Sequence, residues 1–255
     1  MSEEARAADE PDYWSDSRRP LSSLIFLIPW IAAYELGVLW TAGGTGAELR
    51  SGADFWMRSW LSAAGLTQVL LLPLLVAGAL LAWHGVRRHP WRVRLETLIG
   101  MFAESLLLAI GLVAFGQLHD MIFRYVQGVS PDPGVLMQIT PADVSRAISF
   151  LGAGVYEEVM FRLLLVPAGF LFFRAFEFPA PWAAVMAAVA SSFLFALAHH
   201  VGPASDAFNL FTFSFRAAAG LFFSAVFFLR GFGITVGCHS AYDLLVGVLL
   251  VAPSV

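Results

Sequence analysis

Two adjacent carboxylates and a guanidinium, Glu157, Glu158 and Arg162, stand in the otherwise apolar stretch from Gly154 to Arg162. A charged side chain near the centre of a bilayer costs roughly 2.5–3.5 kcal/mol on insertion scales. Three such groups within six residues must pair, face a wet cavity or do chemistry. Positions four apart share a helical face, so Glu158 and Arg162 can form an ion pair. Glu157 is rotated about 100° from Glu158 and is left free to act. Spacing alone does not separate this reading from a structural polar knot between helices.

Two further polar islands follow. His199 and His200 close the run Ser191–Ala198, with Phe195 one turn before His199 on its face. A histidine near a helix end caps or borders a membrane as readily as it catalyses, and His200 points away. The third island is His239-Ser240-Ala241-Tyr242-Asp243, where His239 and Asp243 share one face. Such a pair can also simply fasten two helices. Taken together, the islands supply a carboxylate, two imidazoles and a second carboxylate from three apolar segments. General-base activation of water needs a carboxylate or imidazole at the water, and an oxyanion needs donors.

The ordered set Glu157-Glu158-x-x-x-Arg162, Phe195-x-x-x-His199 and His239-x-x-x-Asp243 resembles the three motifs of the CPBP family. These are the CAAX-processing and bacteriocin-processing (Abi-type) intramembrane proteases. The likeness runs from about Ser145 to Leu250; upstream, only a Tyr34-Glu35 pair is similar. The resemblance implies an intramembrane endopeptidase that cuts a peptide bond near the C-terminal or membrane-proximal part of a membrane-associated protein or peptide. It implies Glu157 as the base that activates water together with His199. His239 and Asp243 would hold that water and stabilise the oxyanion, while Glu158 and Arg162 shape the site. Family members are described both as metalloproteases and as metal-free, glutamate-type enzymes, so no cofactor and zinc both stay open. Glu157, His199 and His239 could be three zinc ligands with an open fourth position.

Composition frames these islands. The chain has 255 residues, of which 58% are hydrophobic and only 13% charged, with a net charge of −4. Soluble domains carry about 25% charged residues, so the expected class is an all-α, polytopic transmembrane bundle. No basic patch suggests a nucleic-acid partner; the partners expected are the lipid bilayer and the substrate. The single cysteine, Cys238, excludes an internal disulfide. It adjoins His239, but neighbours on a helix diverge by about 100°, so helix packing is the expected role.

A spanning helix needs about 20 mainly apolar residues. Such runs lie near Leu21–Trp40, Leu66–Trp83, Leu95–Leu118, from Ala142 onward, Pro181–His199, Phe208–Leu229 and Ile234–Val251. Leu163–Phe176 either extends the fourth helix past Pro167 or forms an eighth element, giving seven or eight spans. Phe55–Leu66 reads as an interfacial helix. Residues 1–20 read as a short exposed head with no cleavable signal, and 21–255 as one membrane domain with the protease core at about 142–251. Arginines crowd the connections on the N-terminal side, which predicts a cytoplasmic N-terminus in an inner or plasma membrane.

The rival classes are an ion-coupled transporter and a non-catalytic relative acting as an immunity factor or scaffold. Glu35, Glu96, Glu104, Arg146 and Arg216 lie in or near apolar runs, as relay groups of carriers do. The two halves of the chain show no repeat, which many carriers have. The expectation is that these residues pair across helices, Glu104 with Arg146 or Arg216. No His-Glu-x-x-His or Gly-x-Ser-x-Gly motif points to another protease chemistry.

Overall fold

The computed structural model describes residues 12–41, 50–127, 141–202 and 205–249. Among them the chain is helical, without strands. The helices are α1 (Tyr13–Ser17), α2 (Pro20–Thr41), α3 (Gly52–Ala63), α4 (Leu71–Arg87), α5 (Leu95–Gln127) and α6 (Pro141–Glu158). A π-helical stretch, Val159–Leu165, leads from α6 into α7 (Val166–Ala175). Then come α8 (Ala180–Ala198), α9 (Leu210–Arg230) and α10 (Phe232–Leu244), the last continued by a π-helical Leu245–Leu249.

Five of these segments are long and apolar enough to cross a membrane: Pro20–Trp40, Leu95–Val126, Ala180–Ala198, Leu210–Arg230 and Phe232–Leu249. Their outward faces are apolar, with Leu107, Leu229, Leu36 and Val126 well exposed. Large apolar surface on this scale does not suit water; in lipid it carries no penalty. This is a multi-pass helical membrane protein.

The boundaries differ from the sequence reading in informative ways. The second apolar run starts its helix at Leu71 rather than Leu66, which leaves a shorter helix of 17 residues. The third continues to Gln127, for 33 residues, or about 50 Å at 1.5 Å per residue. Leu163–Phe176 extends the fourth helix rather than forming an eighth element, because α6, the π stretch and α7 run on without a break. Part of the expected exposed head is folded. Asp12 caps α1 by accepting from the Trp14 and Ser15 amides, Asp16 and Ser17 are buried, and Tyr13 Oη donates to Glu104 at 2.6 Å. Residues 1–11 lie outside the described residues.

At the centre stands α10, buried from Phe232 through Ser240 and packed against α2, α5, α6 and α9. Its contact with α6 depends on Gly154. A Cβ there would lie 2.8 Å from the Ser240 amide nitrogen and 2.9 Å from its Cα, so only glycine lets the two backbones approach this closely.

The polar groups expected to pair do so, with partners of their own. Glu104 is bound by Arg230 and Tyr13, not by Arg146 or Arg216. Arg146 reaches the Gly247 carbonyl at 3.2 Å, and Arg216 binds Asp206. Glu35 accepts from Arg58 at 2.6 Å and from Tyr156 Oη at 2.6 Å. Asp54, fully buried on α3, accepts from Arg50 at 2.7 Å, Arg58 at 2.6 Å and Tyr34 Oη at 2.8 Å. Thus α3 is more than an interfacial helix. Two carboxylates and two guanidiniums clamp it onto α2 and α6 beside Glu157. Carboxylates satisfied in this way are poor relay groups, which weakens the carrier reading.

Candidate active site

Glu157 and Glu158 are the last residues of α6 before the helix loosens to a π pitch. There the Val166 amide donates to the Phe161 carbonyl, five residues back. Pro167, just beyond, has no N–H to give, so the hydrogen-bond ladder is already one donor short where the register changes. Ser191 Oγ on α8 donates to the same Phe161 carbonyl at 2.9 Å. Isolated π turns of this kind recur at functional sites.

Glu158 and Arg162 are both fully buried and form the expected pair, Nη1 to Oε1 at 3.0 Å. The second arm of Arg162 donates to the Gly220 carbonyl on α9 at 2.9 Å. A Cβ on Gly220 would lie 3.0 Å from Ser192 Cα, so glycine again brings two helices, α8 and α9, together. Phe195 and Phe223 place their rings 4.8 and 5.4 Å from the guanidinium carbon. Glu158 Oε1 also lies 2.7 Å from His239 Nδ1. Nothing in the sequence links Glu158 to His239.

Around this ion pair the other candidates converge. Glu157 Oε2 lies 3.9 Å from His199 Nε2 and 3.9 Å from His239 Nε2. Asp243 Oδ2 is 3.4 Å from the same His239 nitrogen. His199 Nδ1 is 2.8 Å from the Phe195 carbonyl. A carbonyl only accepts, so Nδ1 donates to it, and Nε2 is the ring atom turned towards Glu157. Phe223 stacks on His239 with ring centroids 4.5 Å apart, a contact without any signal in the sequence. His200 points elsewhere, to the Asp206 carbonyl at 3.0 Å. The structure therefore brings Glu157, His199, His239 and Asp243 together over the Glu158–Arg162 pair. Glu157 Oε2 is shielded from solvent yet has no hydrogen-bond partner.

A cavity of 470 Å³ opens onto Glu157 and His199. Its other walls include Phe55 and Trp56 of α3, Met160, Phe161 and Val201. Asp206 at its lip lies outside the spans, and the Arg216 guanidinium bonded to it holds its carboxyl below the usual carboxylate range. The α3 wall was not legible as part of a site, because α3 lies roughly a hundred residues before the nearest motif.

Among the described residues, no three His, Cys, Asp or Glu side chains are grouped to hold a metal ion. Zinc binds nitrogen and oxygen ligands at about 2.0–2.2 Å; Glu157, His199 and His239 are the side chains that would hold it, with Glu157 Oε2 3.9 Å from each imidazole Nε2. Cys238 is buried against Ala109, Leu112, Ala219 and Phe223, on packing duty. Cys238→Ala is expected to retain full turnover; its loss in a folded variant would revive a thiol mechanism.

Carboxylates and imidazoles gathered at the buried centre of a multi-pass bundle are groups that can activate water inside a membrane. Residues 144–245 match the family model described as Type II CAAX prenyl endopeptidase Rce1-like. The match runs from α6 to α10 and supports a CPBP-family intramembrane protease over this segment. All six candidate residues fall inside the match, while α1 to α5 lie outside it. No curated protein and no solved structure matches the chain.

Proposed function

We propose that the chain hydrolyses a peptide bond in the membrane-proximal or C-terminal part of a membrane-associated protein or peptide, with a water activated by Glu157. The supporting observation is the approach of Glu157 Oε2 and His199 Nε2, set 3.9 Å apart at the cavity. A water about 2.8 Å from each, an ordinary hydrogen-bond length, donates one proton to each. In the reaction Glu157 takes a proton as the water oxygen bonds to the scissile carbonyl carbon. His239 donates from Nε2 to the oxyanion. The tetrahedral intermediate then collapses, the C–N bond breaks, and Glu157 returns its proton to the leaving amine.

For that role His239 must hold a proton on both nitrogens. Glu158 Oε1 at 2.7 Å from Nδ1 and Asp243 Oδ2 at 3.4 Å from Nε2 give both ring nitrogens an acceptor, as a doubly protonated ring requires. Asp243 and Glu158 position His239 rather than touch substrate.

This reading makes a clear statement about metals. Treating the purified protein with a strong zinc chelator is expected to leave peptide cleavage unchanged. Cleavage that disappears on chelation and returns with added zinc would replace the water-base scheme with a Lewis-acid one.

A further inference from the structure

The turn between α4 and α5, residues 88–94, carries a polar group that the hydrolase site does not use. His84, in the last turn of α4, is wholly buried. Neither of its ring nitrogens has a hydrogen-bond partner among the described residues. Burying such a group without a bond is costly, and unpartnered buried polar atoms are few in folded chains. Arg88 caps α4 in the left-handed region, at φ 52°. That conformation turns the chain back on the helix end. His89 and Trp91 then place their ring centroids 5.7 and 4.7 Å from that of His84. The imidazole therefore faces this turn.

The charges around the turn decide what kind of partner suits it. Arg87, Arg88 and Arg92 are exposed. Arg19 and Arg94 share one carboxylate, Asp16, at 2.7 and 2.9 Å. Within residues 84–100 the only carboxylate is Glu96. Five arginines thus stand against two carboxylates. Burial, and then the positive charge of Arg19, His84 and Arg87 nearby, hold His89 below the usual imidazole pKa. Such a field repels a metal cation and draws in an anion. The position selects a lipid anion over one from solution. Trp91 is 64% exposed, as aromatic residues at headgroup level are. Val86, Leu95 and Ile99, exposed on either side of the turn, offer acyl chains an apolar surface.

We propose that the α4–α5 turn binds the phosphodiester group of an anionic phospholipid. His84 donates an imidazole N–H to a phosphate oxygen from the buried side, and Arg87 meets the phosphate from the rim. Phosphate oxygens accept strongly from charged donors, and clustered arginines beside a spanning helix recognise anionic headgroups in this way. The turn lies outside the segment that matches the family model, and the proposal does not rest on the hydrolase reading.

Native mass spectrometry of the whole chain in detergent tests this, with added phosphatidylglycerol, phosphatidylcholine or inorganic phosphate. One phosphatidylglycerol is expected to stay bound, preferred over phosphatidylcholine by about tenfold. Inorganic phosphate at the same concentration should not displace it. Arg87→Gln is expected to weaken retention by about tenfold; the side chain is exposed, so the fold should tolerate the change. Arg174→Gln removes the same charge from an exposed position on α7 and should leave retention unchanged. His84→Phe keeps an aromatic ring without the N–H, and a variant that melts normally should lose the preference. Equal retention of the two lipids, or equal losses in Arg87→Gln and Arg174→Gln, overturns the site, because charge at any surface position would then suffice. Displacement by inorganic phosphate overturns the lipid assignment in favour of a free anion. A folded His84→Phe variant that keeps the preference overturns the part given to the imidazole. If His84→Phe does not fold, the comparison of Arg87→Gln with Arg174→Gln decides alone.

Discussion

Glu157→Gln is expected to lower kcat/KM for peptide cleavage by about 10²–10⁴-fold, the usual contribution of a positioned general base. The amide keeps the shape of the side chain and loses the basic oxygen. Stability should change little, because Glu157 Oε2 makes no hydrogen bond that the fold depends on. The Glu158–Arg162 pair, which the fold does depend on, is a separate contact. Cleavage of a membrane peptide by the detergent-solubilised variant measures the first effect, and its melting temperature the second. A variant that melts normally and cuts at the wild-type rate would remove Glu157 as the base. A variant that fails to fold would show Glu157 to be a structural group, the polar-knot reading that spacing alone left open.

Arg162→Ala is expected to cost about 3–5 kcal/mol of stability, the usual penalty for breaking a buried ion pair. Both partners are wholly shielded from solvent, so removing the guanidinium strands Glu158 as an uncompensated charge. It also frees the Gly220 carbonyl and removes the cation between Phe195 and Phe223. Activity should fall as well, because Glu158 is what holds His239. The double variant Glu158→Gln/Arg162→Met should recover part of the lost stability, since replacing a whole buried pair is often nearly neutral. Activity should not recover with it, because the Glu158 carboxylate at His239 Nδ1 is gone. A single Arg162→Ala variant with wild-type melting behaviour would show that water reaches the pair.

The motifs were readable because each lies within one helix. Glu158 and Arg162, Phe195 and His199, and His239 and Asp243 are each four apart, and the helical repeat puts such residues on one face whatever surrounds them. The membrane class was equally plain, since apolar runs of spanning length have few other uses. Ion-pair partners such as Glu104 and Arg230 were not readable. Their separation of 126 residues is set by how whole helices lie against each other, and no local periodicity encodes it.

The amino-acid sequence by itself determined that the chain is a helical membrane protein, which segments carry its acids and imidazoles, and which of these share a helical face. Only the tertiary structure decided that Glu158 serves His239 as well as Arg162, and that α3 walls the cavity. The physical reason is range. Backbone geometry relates residues a turn apart, while contacts between helices depend on glycine-sized gaps, buried charge pairs and packing that form only when all the segments are in place.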